Sequence, residues 1–435
     1  MRVALYTLGC KVNSYETDKI RETFQSEGVV IVPFTELADV YIVNTCTVTQ
    51  MAAKKSRQIL HRARRLNPEA LIVATGCFVQ AGGEGMPEGA VDLYVSNADK
   101  SQLVQRVYDA MRDRTMLSDS IQAAEEGTRG HTRAFLKIQD GCRQYCSYCI
   151  IPYVRGPLQS REPEDVLAEV RHLVSQGYKE LVLTGIHLSS YGRQGTLADP
   201  NVQITLGQLI QRLNEVEGLA RIRLGSLEPG LITEAYLEEI AQSSKLCPHY
   251  HLSLQSGCAR TLRAMNRRYT PDEYAQAVER LRRFRPETAI TTDLIVGFPG
   301  ETEEDFEESL AFLRQIGFSQ VHVFKYSKRD GTVAARRKDQ VPEDVKHARS
   351  EKAIRVAEDL SWQFASRFIG SVREVLLEEP WERGWEGYTD HYIRTLVEEE
   401  KTSGRRILSE NQIVPVQFQS CIRQGGEIYL KGVIT

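Results

Sequence analysis

From Ala134 onward, apolar strand-like segments alternate with amphipathic helical ones, six times over about 200 residues. The strand-like segments are AFLKIQD, ELVLTG, RIRLGS, HLSLQ, ITTDLIVG and QVHVFKY. Between them lie PEDVLAEVRHLVSQG, TLGQLIQRLNEV, PDEYAQAVERLRRF and TEEDFEESLAFLRQIG, with apolar residues at helical spacing. Strands separated by helices pair in parallel. Six repeats are too few for the usual eight-fold barrel, so the pattern predicts an open, partial barrel whose function lies at the C-terminal ends of its strands.

The flanks differ. Residues 1–118 show a shorter alternation in which VALYTL, VYIVNT, LIVATG and LYVSN are separated by helical segments, one of them the basic MAAKKSRQILHRARRL. This predicts a small parallel α/β domain. A polar stretch near 118–133 reads as a linker. Residues 128–368 hold the partial (β/α)6 barrel and a long helix from Pro342 to Phe368. Residues 370–435 carry short alternating strands and Gly-rich turns, predicting a small antiparallel β-barrel. The fold class is α/β.

Composition narrows the function. Net charge is −3 in 435 residues, so the whole chain is not a basic nucleic-acid binder, although local patches remain. No apolar run reaches membrane-spanning length, and the start is not a signal peptide. The expected location is cytoplasmic, with no membrane partner. Nine cysteines in such a chain point to metal or catalysis wherever they cluster.

Three of them do cluster: Cys142-x3-Cys146-x2-Cys149, just beyond the first barrel strand. Three thiolates from one loop can hold three irons of a [4Fe-4S] cube and leave the fourth iron open to a small molecule. Zinc is the plainer alternative, but a structural zinc site closes with four ligands, and no well-spaced fourth follows. Cys10, Cys46 and Cys77 are scattered, yet each ends an apolar strand: YTLGC, VNTC and ATGC. In a parallel sheet such ends share one edge, where open α/β folds bind ligands. Any one of them alone would read as a small buried hydrophobe. Cys247, Cys258 and Cys421 have no partner spacing and read as structural thiols.

The loop spacing, with Tyr148 before the last cysteine, resembles the radical S-adenosylmethionine enzymes, in which the open iron chelates the cofactor's amine and carboxylate. The resemblance implies cofactor contacts at Tyr148, Gly185, Glu228, Gln255 and Gly297, each of which could equally serve only its turn. The turn at Thr184-Gly185 lacks the acid usual in that superfamily.

The order of segments is similar to the methylthiotransferases, which join a three-cysteine domain, a radical core and an RNA-binding barrel called TRAM. This resemblance implies that Cys10, Cys46 and Cys77 hold a second [4Fe-4S] cluster. TLGCKVNSYET, CIIPYVRG, LTGIHLSSYG (with His187) and TTDLIVGFPGET resemble the branch acting on N6-threonylcarbamoyladenosine at position 37 of the tRNA anticodon loop. Sister branches act on isopentenyladenosine or on a ribosomal protein. A single-cluster enzyme acting on a small molecule is a further alternative, and so is a non-catalytic RNA-binding protein stabilised by metal. The resemblance also implies an electron-donor protein and a sulfur source. Basic clusters at 54–65 and 260–268 and in KRDGTVAARRK, together with Lys401, Arg405 and Arg406, are candidate phosphate contacts, although charge runs often only cover a solvated face.

Overall fold

The segment Val40–Val43 is buried on both sides: Tyr41 and Val43 face one apolar cluster, Val40 and Ile42 the other. A strand buried on both faces belongs inside a parallel sheet, and the computed structural model places it there. It describes residues 1–83, 85–86, 89–114, 132–193, 195–197, 204–398 and 408–435. The expected linker lies almost wholly outside these residues, as do Lys401, Arg405 and Arg406.

The strands are β1 (Arg2–Thr7), β2 (Val30–Val32), β3 (Val40–Thr45), β4 (Leu71–Gly76), β5 (Leu93–Val95), β6 (Ala134–Asp140), β7 (Gln159–Ser160), β8 (Glu180–Gly185), β9 (Arg221–Leu224), β10 (Ser226–Leu227), β11 (His249–Leu252), β12 (Ala289–Val296), β13 (Gln320–Lys325), β14 (Val372–Trp381), β15 (Gly384–Thr389), β16 (Arg394–Glu398), β17 (Ile413–Gln424) and β18 (Glu427–Ile434). The α-helices are α1 (Lys11–Ser26), α2 (Gln50–Leu66), α3 (Cys77–Gln80), α4 (Leu103–Arg114), α5 (Ile151–Arg155), α6 (Pro163–Ser175), α7 (Leu206–Asn214), α8 (Glu234–Ile240), α9 (Ala259–Ala264), α10 (Pro271–Phe284), α11 (Glu303–Ile316) and α12 (Glu343–Ser366).

The chain forms two compact units. The first holds residues 1–130, 135–158 and 327–335; the second holds 131–134, 159–326 and 336–435. In the first, five parallel strands run in the order β2-β1-β3-β4-β5. The pairs Thr7 with Asn44 and Thr45 with Gly76 bring the ends of β1, β3 and β4 level. The loop Gly141–Leu158 belongs to this same unit, so both cysteine sets lie within it.

In the second unit β8 pairs in parallel with β9, and β10-β11-β12-β13 form a parallel sheet. The helices start where the sequence says they should: Thr205, Thr270 and Thr302 each accept from the third helical residue, whose side chain reaches back to the cap backbone. The C-terminal strands close into a barrel in the order β14-β15-β16-β18-β17. Its pairs are antiparallel apart from β16 with β18, which is parallel. Of the short strands expected in 370–435, the alternating stretch GYTDHYIRTLVEEE reads as one; its described residues belong to two, β15 and β16. Tyr392, at φ +65°, turns the chain between β15 and β16, and the Ile393 N–H donates to Thr389 Oγ1. The apolar alternation continues through this turn, which hides it.

A buried ion pair ties the barrel to the rest of this unit. Arg223, 1 % exposed, donates Nε to Glu180 Oε1 at 2.6 Å, and Glu180 is fully buried. Other Arg223 nitrogens donate to the carbonyls of Asp390 and Thr389 at 2.9 and 3.2 Å. Burial alone would raise the Glu180 pKa; the Arg223, Arg133 and Arg221 guanidiniums outweigh it and hold the carboxyl below its usual range. Removing one partner leaves a buried charge poorly compensated. Arg223→Met is therefore expected to cost about 3–5 kcal/mol, with Glu180→Gln in the same chain restoring part of it. Urea unfolding of the three variants checks this; a loss under about 1 kcal/mol for the single variant, no larger than an exposed pair would give, contradicts it.

Candidate metal centre and adjoining cavity

The turn after β1 fixes the first thiol. Gly9 sits at φ +102°, and a Cβ there would lie 2.8 Å from Cys46 Sγ, so only glycine lets the two loops approach this closely. Cys10 then occupies the N-cap of α1 without capping it through its side chain. Asn13 Nδ2 donates to the carbonyls of Leu8 at 2.6 Å and Thr45 at 3.1 Å, clamping the Cys10 loop to the Cys46 loop. Cys77 follows β4 directly and opens α3. Burial, the main cause, together with the nearby Cys77 and Cys10 thiols, pushes the Cys46 thiol up to about 11. Cys77 is raised in the same way, by burial first, with Cys10 close by. Loading these thiols with a metal group must therefore release protons.

The second set is held by its own loop. A Cβ on Gly141 (φ +72°) would collide with the Pro157 carbonyl at 1.8 Å, which fixes where the loop leaves β6. The Gln144 N–H points at Cys142 Sγ (3.4 Å), and the Cys149 N–H donates to the Cys146 carbonyl (2.9 Å). The Ala334 N–H donates to the Ser147 carbonyl at 2.8 Å, bracing the loop from the 327–335 segment.

Among the described residues, neither cysteine trio draws its sulfurs to within 4.8 Å of one another; the one such group is Cys258, Asp305 and Glu308. Ligands of a single zinc ion crowd together, whereas ligands of a cube each bind a different iron. In the Cys258 group, Asp305 is already spent on Arg260 and on capping α11. Cys247 and Cys421 are buried.

One charged knot joins the two cysteine regions inside this unit. Arg155, at the end of α5, donates Nε to Cys77 Sγ at 3.3 Å, Nη2 to Asn13 Oδ1 at 2.6 Å and Nη1 to Glu16 Oε1 at 2.6 Å. Glu16 also takes Lys100 at 2.5 Å and Lys137 at 3.0 Å. Sequence reasoning quoted the stretches holding Asn13, Glu16 and Arg155 without assigning them. Asn13 and Glu16 lie 3 and 6 residues after Cys10, and Arg155 lies 6 after Cys149, which are ordinary spacings, and only the fold shows them meeting.

Beside the knot lies an open cavity of about 720 Å³, lined by Thr47, Phe78 and Ile150 among others. These are the residues that follow Cys46, Cys77 and Cys149. Lys54, Arg57, Lys328 and Arg329 also line it.

The expected cofactor contacts are placed as follows. Tyr148 lies in the cysteine loop of the first unit. In the second unit Gly185 ends β8, and Glu228 follows β10. Gln255 (φ +68°) lies beyond β11, and Gly297 directly follows β12. Both Glu228 oxygens accept from Arg267 Nη2, at 2.7 and 2.6 Å. Gln255 pairs through its backbone with Asp293 and Ile295. His187 is buried against Ser190 Oγ at 2.6 Å. Much of the expected basic surface is already engaged: Arg64 holds the Ala70 carbonyl and Asp92, Arg260 holds Asp305, Arg267 holds Glu228 and Arg337 holds Asp339.

Residues 136–313 match the radical SAM superfamily model, and residues 2–96 match the uncharacterized protein family UPF0004. The chain is 42 % identical over 409 residues to threonylcarbamoyladenosine tRNA methylthiotransferase MtaB of Bacillus subtilis, covering 91 % of this chain and 90 % of the relative. It is 38 % identical to the Aquifex aeolicus protein of that name, covering 87 % of this chain and 93 % of the relative. It is 36 % identical to tRNA-2-methylthio-N(6)-dimethylallyladenosine synthase of Clostridium botulinum, covering 86 % and 85 %. The radical S-adenosylmethionine methyltransferase TsrM of Kitasatospora setae shares the fold, with TM-score 0.57 at 16 % identity over 77 % of each chain. Among the described residues no helix is long and apolar enough to cross a membrane.

Burial alone would raise the Glu16 pKa, but Lys100, Arg155 and Lys137 outweigh it and hold the carboxyl well below its usual range. Its stabilising contribution is then present above the unfolded value of about 4.3 and is lost as pH falls through the lower folded value. Glu16→Gln is expected to cost about 3–5 kcal/mol at neutral pH, and the gap to the native chain should shrink on acidification. Denaturant unfolding of both proteins across pH 3 to about 8 measures it; a gap that stays flat into acid contradicts the assignment.

Proposed function

The chain belongs to the radical S-adenosylmethionine methylthiotransferases, and from that premise we propose that it converts N6-threonylcarbamoyladenosine at position 37 of tRNA to its 2-methylthio derivative. The reading is carried by one observation: two cysteine trios lie in the same compact unit, beside one cavity lined by the residues after Cys46, Cys77 and Cys149. The two relatives named for the threonylcarbamoyl substrate, matched along most of their length, support that branch.

Cys142, Cys146 and Cys149 would hold one [4Fe-4S] cluster, and Cys10, Cys46 and Cys77 a second. The donor sets fit in kind: three thiols each, those of Cys10, Cys46 and Cys77 following the ends of neighbouring parallel strands and those of Cys142, Cys146 and Cys149 in one loop. When bound, the clusters and S-adenosylmethionine supply the radical, the methyl group and the sulfur. The chain supplies position and exclusion of water. Asn13 and Gly9 keep two loops in contact, Arg155 offers an N–H to the Cys77 sulfur, and Glu16 neutralises the cations gathered around it. An N–H aimed at a ligating sulfur tunes a cluster's potential. Tyr148, Gly185, Glu228, Gln255 and Gly297 are the proposed cofactor contacts. Because Glu228 is held by Arg267, it would orient that guanidinium as well as meet the cofactor. The C-terminal barrel is a proposed tRNA contact. The base must leave its stack to reach the cavity, as in most recognition of loop nucleotides. An electron-donor protein and a sulfur source complete the scheme.

Anaerobically reconstituted native chain should carry about eight irons, and alanine variants of either trio about four. Nucleosides from cells lacking the protein should retain threonylcarbamoyladenosine and lose its methylthio form. Four irons in the native chain, unchanged by replacing Cys10, Cys46 and Cys77, would leave a single-cluster enzyme. An unchanged nucleoside profile would remove the branch.

A further inference from the structure

Large apolar side chains collect around the cavity beside the cysteine trios. Tyr153 lines it and is 59 % exposed. Tyr145, from the loop that carries Cys142, Cys146 and Cys149, meets Tyr153 edge to face, with ring centroids 5.9 Å apart, and is 51 % exposed. Val48 and Met51 follow the lining residues Thr47 and Gln50, and Val333 comes shortly after the lining residue Gly331; all three are exposed. The segments that carry these side chains are joined to one another. The Gln50 N–H donates to Ser327 Oγ at 3.0 Å, and the Ala334 N–H donates to the Ser147 carbonyl at 2.8 Å. An apolar collar left in water around a concave site marks a place where something binds.

Tyr145 is held in place at a cost. Its φ of +50° lies in the left-handed region, which is unfavourable for a bulky side chain, and with half the residue in water, burial returns only part of that cost. Such strain collects at ligand contacts. The chemistry of the surroundings selects the ligand. Lys54, Lys328 and Arg329 line the same cavity, so an aromatic surface and cations are presented together. That combination suits single-stranded nucleic acid, whose unstacked bases lie on aromatic rings while its phosphates meet lysine and arginine. We propose that Tyr153, buttressed by Tyr145, is a stacking platform for the loop base next to the target adenosine, and that it keeps the extruded strand over the cavity. This rests on the proposed tRNA substrate. Tyr153 is then a positioning residue: it holds the RNA and touches no reacting atom.

The test is equilibrium binding of anticodon stem-loops carrying threonylcarbamoyladenosine to the full reconstituted chain. One RNA is intact, one lacks the base before the target, and one lacks the base after it. The platform predicts that one of these two removals weakens binding to the native chain about tenfold, as for the loss of one stacked base. Tyr153→Leu should weaken binding of the intact RNA by a similar factor, whereas Tyr153→Trp should keep it within about twofold. Once the sensitive base is missing, the native and Tyr153→Leu chains should bind within about twofold of each other, because the contact is already gone. Equal weakening of all three RNAs by Tyr153→Leu would overturn the platform, and a native chain indifferent to both missing bases overturns it without any variant. The rival occupant of the collar is the electron-donor protein. If Tyr153→Leu binds every RNA as the native chain does, and loses turnover only when a reduced ferredoxin instead of dithionite supplies the electrons, the collar belongs to that protein and the platform falls. The substrate reading fails separately, if the loaded native enzyme binds the intact RNA through Tyr153 yet forms no methylthio product from it.

Discussion

The contact on which the rest depends is the Arg155 guanidinium, whose side chain is 1 % exposed and which spans Cys77, Asn13 and Glu16. Arg155 comes from the segment that carries the second cysteine trio; its partners come from the N-terminal sheet region. A buried guanidinium with all its bonds made acts as a geometric constraint, since its planar fork admits little rotation. Asn13 passes the constraint on, because its amide also holds the Leu8 and Thr45 carbonyls that flank Cys10 and Cys46. The relative placement of the two trios therefore depends on a few buried polar groups more than on apolar packing.

That arrangement suits chemistry with two metal groups. Apolar packing tolerates small shifts, whereas a charged knot with three cations on one carboxylate does not. The cavity opens beside the trios, lined by one residue next to each of Cys46, Cys77 and Cys149. The second unit repeats the device at a different place, where Arg223 and Glu180 fasten the C-terminal barrel by its β15–β16 turn.

Much of this was legible in the sequence. Apolar alternation marked the parallel strands, and helical spacing of apolar residues marked the helices between them. YTLGC, VNTC and ATGC predicted three thiols on one sheet edge, and the register of β1, β3 and β4 places them there. Other features were not legible. The β15–β16 turn carries no Gly or Pro, so its alternation reads as one strand. The Arg155–Glu16 pair is 139 residues apart, and no local pattern encodes it. The basic clusters gave no hint of their partners within the chain: Arg64, Arg260, Arg267 and Arg337 each pair with a carboxylate in the fold.

If the Arg155 knot holds the two trios at one cavity, their clusters must sit near enough to sense each other's spin. Electron paramagnetic resonance of the fully reduced, reconstituted chain tests this most directly. The account predicts a spectrum broadened by coupling between two clusters, collapsing to a single uncoupled signal when Cys77 is replaced by alanine. Two independent, uncoupled signals from the intact chain would contradict it.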